Sequence, residues 1–238
     1  MKTVLITGGS RGIGRECVKL FAERGYAVAF TYKNSEDKAV ALAKEAGALA
    51  LRADSLSEEE IRSAVRTALT ELGHIDVLVN SAAVAGFSLL TDLSLEQWNS
   101  TIGVSLTGSF LYCREVLPGM ISRGCGRIVN ISSMWGEVGA SCEVHYSAAK
   151  AGLIGFTKAL AKEVGPSGIT VNAIAPGVID TEMNRALTEE DKAALIEETP
   201  LGRIGTPREI AENVYYLTTD AASFITGQVL GVNGGFVI

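Results

Sequence analysis

The 238-residue sequence predicts an α/β fold: a doubly wound, mostly parallel sheet of about seven strands with helices on both faces. Three observations predict it. Short runs rich in Val, Ile, Leu and Ala alternate with longer segments of helical period along the whole chain. Most of the short runs are apolar on both faces, as a strand must be when helices cover both sides of its sheet. No linker, low-complexity tract or internal repeat interrupts the alternation, so one domain is expected over residues 1–238. The expected strands are residues 3–7, 27–32, 48–52, 75–79, 127–131, 170–174 and 228–232. Segments such as 14–24, 57–72 and 145–164 carry apolar residues three and four apart and are expected helices, joined to the strands by right-handed crossovers.

Composition narrows the function classes. Hydrophobic residues make up 47% and charged residues 20%, close to an average globular chain. The net charge of -6 disfavours nucleic acid or an anionic membrane as partner, since either needs a basic face. The apolar stretch at the amino terminus is too short for a secretory signal, and no apolar run reaches the ~20 residues that span a bilayer. Cytoplasm is the expected location. Cys17, Cys113, Cys125 and Cys142 form no CxxC pair and have no histidine at metal-ligand spacing, so reduced thiols and no metal are expected.

Directly after the first strand comes Thr7-Gly8-Gly9-Ser10-Arg11-Gly12-Ile13-Gly14, and helical sequence follows. A glycine turn between a first strand and a helix suits a dinucleotide in a Rossmann-type sheet: the glycines admit the pyrophosphate to the backbone, and the helix amino terminus attracts its charge. Gly8, Ser10, Arg11, Gly12, Ile13 and Gly14 are the candidate contacts. The spacing is TGxxxGxG, and here the sequence resembles the short-chain dehydrogenase/reductase family. Asn80-Ser81-Ala82-Ala83 closes the fourth strand where that family usually has Asn-Asn-Ala-Gly. The resemblance places Asn80, Ala82, Pro176, Gly177, Ile179 and Thr181 at the cofactor, the last two at the nicotinamide carboxamide and the phosphates. It covers essentially the whole chain, through Asn233-Gly234-Gly235 near the carboxyl end.

The second strand decides which dinucleotide. An acidic residue at its end would bond the ribose hydroxyls of NAD and repel the 2′-phosphate of NADP. The sequence reads Thr31-Tyr32-Lys33-Asn34-Ser35 instead, with Arg11 in the glycine turn. Tyr32, Lys33, Asn34 and Arg11 therefore favour NADP(H). Asp54 and Ser55, after the third strand, resemble the family's adenine contacts.

Tyr146 and Lys150 stand four residues apart, hence on one face of a helix. A tyrosine is a poor proton donor or acceptor at neutral pH, and an adjacent ammonium is expected to draw its pKa toward the working range. Tyr146 would protonate a carbonyl oxygen as hydride reaches the carbon. Lys150 would assist it and hold the nicotinamide ribose. The resemblance adds Ser133, thirteen residues before Tyr146, as the residue bonding the substrate oxygen, and leaves Ser132 as a turn residue. The family's relay asparagine is replaced by Ser105, which would hold the relay water with a shorter reach. Neither His74 nor His145 is placed to serve a rival mechanism, and no GxSxG elbow is present.

The expected reaction is NADPH-dependent reduction of a ketone to a secondary alcohol. The nearest broad group by resemblance is the 3-oxoacyl-[acyl-carrier-protein] reductases. The segment 133–144 carries Trp135, Glu137 and Glu143 and, with the missing relay asparagine, is similar to reductases of the 5-aminopentanone group on a lysine of elongation factor P. Either Glu137 or Glu143 could pair with a cationic amine. A non-catalytic NADP-binding module is the alternative of another class. Residues 180–207 are charged and helical in propensity, and are expected to form a substrate lid. The small residues Ala148, Ala149, Ala151 and Gly152 suit close helix packing, and the resemblance implies a homotetramer.

Overall fold

The computed structural model describes residues 1–184 and 188–238. Seven strands form one parallel sheet in the order β3-β2-β1-β4-β5-β6-β7. They are β1 (Thr3–Thr7), β2 (Ala27–Tyr32), β3 (Leu49–Arg52), β4 (Val77–Asn80), β5 (Gly126–Ile131), β6 (Ile169–Pro176) and β7 (Val229–Val232). The helices are α1 (Gly12–Glu23), α2 (Glu36–Ala46), α3 (Glu58–Leu72), α4 (Leu95–Ile102), α5 (Gly108–Arg123), the short α6 (Trp135–Val138), α7 (Val144–Val164), α8 (Glu189–Glu198) and α9 (Pro207–Thr218).

The two-faced apolarity of the strands has the expected outcome. In β1, Val4 and Ile6 join a core built with Phe21 of α1 and Val214 of α9. The intervening Leu5 joins the opposite core, with Val65 of α3, Tyr112 of α5 and Leu160 of α7. This is the period-two alternation of a strand covered on both sides. Each such fully buried side chain contributes about 1.5–3 kcal/mol.

The fourth strand starts two residues later than the sequence pattern suggests. Asp76 spends its groups on side-chain bonds: its carboxylate accepts from the Thr3 N–H at 2.9 Å, and its own N–H donates to the Thr3 hydroxyl at 3.0 Å. The backbone ladder therefore opens with Val4 beside Val77.

A π-helical segment, Gly103–Thr107, joins α4 to α5. Such insertions widen a helix by one residue and recur at functional sites. No helix among the described residues is long and apolar enough to cross a membrane. The expected lid over 180–207 includes residues 185–187, which lie outside the described residues.

Candidate active site

Strand order reverses between β1 and β4, and in an open α/β sheet the crevice beyond the carboxyl ends of such strands is where ligands bind. A cleft of roughly 1370 Å³ lies there. The floor is held together by Thr7, whose hydroxyl accepts from the N–H groups of Ser81 and Ala82 at 3.0 Å each. Sequence reasoning missed this clamp because the pairing joins residues 74 and 75 positions apart.

The glycine turn is shaped by backbone contacts. Gly8 and Gly12 take positive φ, 66° and 53°. A Cβ on Gly14 would collide with the Gly8 carbonyl oxygen, and one on Gly9 would stand 2.6 Å from the Phe30 side chain. α1 then begins at Gly12, with no side-chain cap from Arg11 before it and no acidic residue in its first turn. Its first N–H groups thus lack a local acceptor, and the helix dipole adds positive potential at the same place. A pyrophosphate fits this cradle in both shape and charge. Gly14→Val is expected to raise the dissociation constant for the dinucleotide by roughly tenfold or more, because the collision displaces the turn. Titration of nicotinamide fluorescence checks it, and an unchanged constant would remove the turn from the binding site.

At the second-strand end, Tyr32, Lys33 and Asn34 line the cleft with Asp54 and Ser55. Lys33 pairs with Asp54 at 2.7 Å. Burial would raise the Asp54 carboxyl, but the Lys33 bond and the Leu56 N–H outweigh it and hold the group below the usual range. Arg11 is exposed, lines the cleft and makes no ion pair among the described residues.

Ser133, Tyr146 and Lys150 meet deeper in the cleft. α7 presents Tyr146 and Lys150 on one face, with the Lys150 Nζ 5.5 Å from the centre of the Tyr146 ring. β5 delivers the serines. Ser133 Oγ accepts from the Trp135 N–H at 3.1 Å and hydrogen-bonds with Tyr146. Ser132 is more than the expected turn residue: its hydroxyl donates to the Lys150 carbonyl at 2.9 Å and fastens the end of β5 to α7. Lys150 is buried and donates to the Ile131 carbonyl at 2.7 Å.

One electrostatic expectation fails. Lys150 was expected to draw Tyr146 toward neutrality, yet the phenol is pushed up to about 12. Burial is the leading cause, the charge of Glu143 adds to it, and the Ser133 bond opposes it. Lys150 itself is pulled down to about 8 by loss of hydration. In the protein without dinucleotide, desolvation outweighs the attraction of an ammonium engaged with a carbonyl.

Most of the other expected contacts line the same cleft: Gly8, Ser10, Arg11, Gly12, Ile13, Gly14, Ala82, Pro176, Gly177, Ile179 and Thr181. Asn80 and Ser105 do not. The Asn80 amide donates to the Asn130 side chain at 2.8 Å and so ties β4 to β5 from inside the core. Ser105 is fully buried in the π segment, and its hydroxyl has no hydrogen-bond partner among the described residues. Its neighbours Ser100 and Val104 reach the cleft instead.

Of the two candidate glutamates, Glu137 is exposed and outside the cleft, whereas Glu143 is buried and lines it. Cys142, directly before Glu143, takes an unusual positive φ of 62°. Phe236 is a lining residue that local pattern could not reveal. It reaches the cleft only because the tail folds back, and it packs edge-on against Trp135 at 5.5 Å. Thr181, Met183, Leu195 and Glu198 from the region of the expected lid also border the cleft.

Residues 8–237 match a family model described as enoyl-(acyl carrier protein) reductase. The 3-oxoacyl-[acyl-carrier-protein] reductase FabG of Vibrio harveyi is 42% identical over 238 residues, covering 98% of this chain and 96% of that protein. An acetoacetyl-CoA reductase of Rhizobium meliloti is 44% identical over 236 residues, covering 98% of both. Among solved structures, a Serratia marcescens short-chain dehydrogenase/reductase mutant superposes with a TM-score of 0.93 at 38% identity, covering 99% of this chain and 97% of that one. A blue fluorescent protein from a metagenomic library, in complex with NADPH, gives a TM-score of 0.94 at 36% identity, covering 100% and 98%. With these matches running through the sheet, the glycine turn and α7 alike, the chain belongs to the short-chain dehydrogenase/reductase family.

Proposed function

We propose that the protein reduces a ketone to a secondary alcohol with NADPH, with Tyr146 giving the proton. The convergence of Ser133, Tyr146 and Lys150 in the cleft beside the glycine turn is the observation that carries this reading. The Ser133 hydroxyl would hold the carbonyl oxygen beside the phenol. Lys150, with a value of about 8, is mostly protonated at neutral pH and would hold the nicotinamide ribose. NADPH, when bound, supplies the hydride. A phenol at about 12 keeps its proton at neutral pH, which suits reduction and leaves alcohol oxidation to alkaline conditions.

The names of the relatives support a 3-oxoacyl thioester, on acyl carrier protein or coenzyme A, as substrate. A second reading, the aminopentanone group on a lysine of elongation factor P, is favoured by one observation: Glu143 lines the cleft. The test is loss of reduced-nicotinamide absorbance with a 3-oxoacyl thioester, an aminopentanone-bearing lysine peptide and simple ketones. Turnover of one of them with NADPH supports the reading and names the substrate. Dinucleotide binding without turnover of any ketone would leave only a binding module.

Cofactor choice has its own expected result. Arg11→Ala should lower the preference for NADPH over NADH in kcat/KM by roughly tenfold or more, since a guanidinium–phosphate bond is lost. Lys33→Ala should lower it less, because Lys33 already shares its charge with Asp54. Equal preference in wild type and Arg11→Ala would remove Arg11 from the 2′-phosphate.

A further inference from the structure

Glu143 has no structural reason to be where it is. It precedes the first residue of α7, yet its side chain makes no capping bond. It is 8% exposed, lines the cleft and forms no hydrogen bond or ion pair through its carboxylate among the described residues. Burial alone raises its carboxyl, with neither a cation nor a donor acting the other way. Its charge is felt at Tyr146, the residue that would protonate the substrate. Burying a carboxylate without a partner is costly, and the dipole of a 21-residue helix offsets that only in part.

Glu198 of α8 also lines the cleft, as do Trp135 and Phe236, which pack edge-on against each other. The described cations of the cleft lie elsewhere or are engaged: Arg11 and Lys33 belong to the glycine-turn end, and Lys150 donates to a carbonyl. A buried carboxylate without a partner in a cleft that also carries aromatic rings attracts an ammonium group, first through Coulomb attraction.

Resting on the proposed ketone reduction, we infer that Glu143 is the specificity-determining residue that makes a ketone carrying a cationic group near its carbonyl the preferred substrate over a neutral acyl chain. The exposed Glu137 takes no part.

The probes are a methyl ketone ending in a trimethylammonium group and its uncharged isostere, with a quaternary carbon in place of the nitrogen. Neither can cyclise, and they differ only in charge. Wild type should favour the charged ketone in kcat/KM by roughly tenfold or more. Glu143→Gln should bring that ratio close to one, and Glu143→Asp, which keeps the charge, should retain most of it. The ratio is taken on one enzyme preparation, so partial misfolding of a variant cancels out of it. Equal use of the two ketones by wild type, or a preference that survives Glu143→Gln, overturns the inference while leaving ketone reduction intact. Failure to oxidise NADPH with either probe and with the 3-oxoacyl thioester overturns the reduction itself.

Discussion

Tyr146→Phe is expected to lower kcat by about 10²- to 10⁴-fold, the range a positioned proton donor contributes. The ring is nearly buried, and Phe keeps its packing on α7. What disappears is the hydroxyl that bonds with Ser133. Dinucleotide binding should survive, because the glycine turn and the uncapped start of α1 lie on other elements. Single-turnover kinetics with NADPH would place the loss in the chemical step. A variant that retained activity within an order of magnitude of wild type would mean that the proton comes from somewhere other than Tyr146.

Lys150→Met should abolish most of the activity and, in the same molecule, raise the stability of the dinucleotide-free protein. A lysine held at about 8 in place of 10.5 has its charged form disfavoured by roughly 3 kcal/mol. Met removes that penalty but leaves the Ile131 carbonyl without its side-chain donor, which returns about 1–2 kcal/mol. A net gain of about 1–2 kcal/mol at pH 7 is expected, read from denaturant unfolding.

The pH dependence has a definite sign. Below about pH 8 the lysine is protonated in both the folded and unfolded chains, and the penalty is fully present. Between about 8 and 10.5 the unfolded chain holds its proton at this lysine longer than the folded chain does, so the Lys150 contribution to stability rises with pH, while the buried thiols of Cys17 and Cys113, pushed up to about 12, act oppositely from about pH 9. Tyr146 acts oppositely higher up. From about pH 10 the unfolded chain loses the phenolic proton first, and stability falls toward 12. The stability advantage of Lys150→Met over wild type should shrink between about pH 8 and 10.5, a difference in which the two thiols cancel. A variant less stable than wild type at pH 7, by a margin that does not change up to about pH 10.5, would contradict a buried ammonium at this position.

The sequence made the sheet legible because strands covered on both faces leave an unbroken apolar signature, and because β1 and its glycine turn are contiguous in the chain. Val4, Leu5 and Ile6 declare burial on both sides by composition alone. Tyr146 and Lys150 were legible for the same reason: a helical repeat converts a spacing of four into a shared face.

The environment of those side chains was not legible. Whether Tyr146 sits high or low depends on how much water burial removes and on where the Lys150 ammonium is directed, and the Ile131 carbonyl that receives it comes from another element. Asn80 and Ser105 matched local motif positions, but the first faces Asn130 within the sheet and the second is enclosed in the π segment. Glu137 and Glu143 were equivalent as letters, and only the fold of 135–144 against α7 exposed one and buried the other.

By itself the sequence determined the doubly wound sheet, the glycine turn between β1 and α1, and the shared helix face of Tyr146 and Lys150, all of which follow from short-range periodicity and chain order. The tertiary structure alone decided the Thr7 clamp, the entry of Phe236 into the cleft, the high phenol and low ammonium, and the burial of Glu143. Solvation and electrostatic energy depend on neighbours brought together across the chain, which no local pattern records.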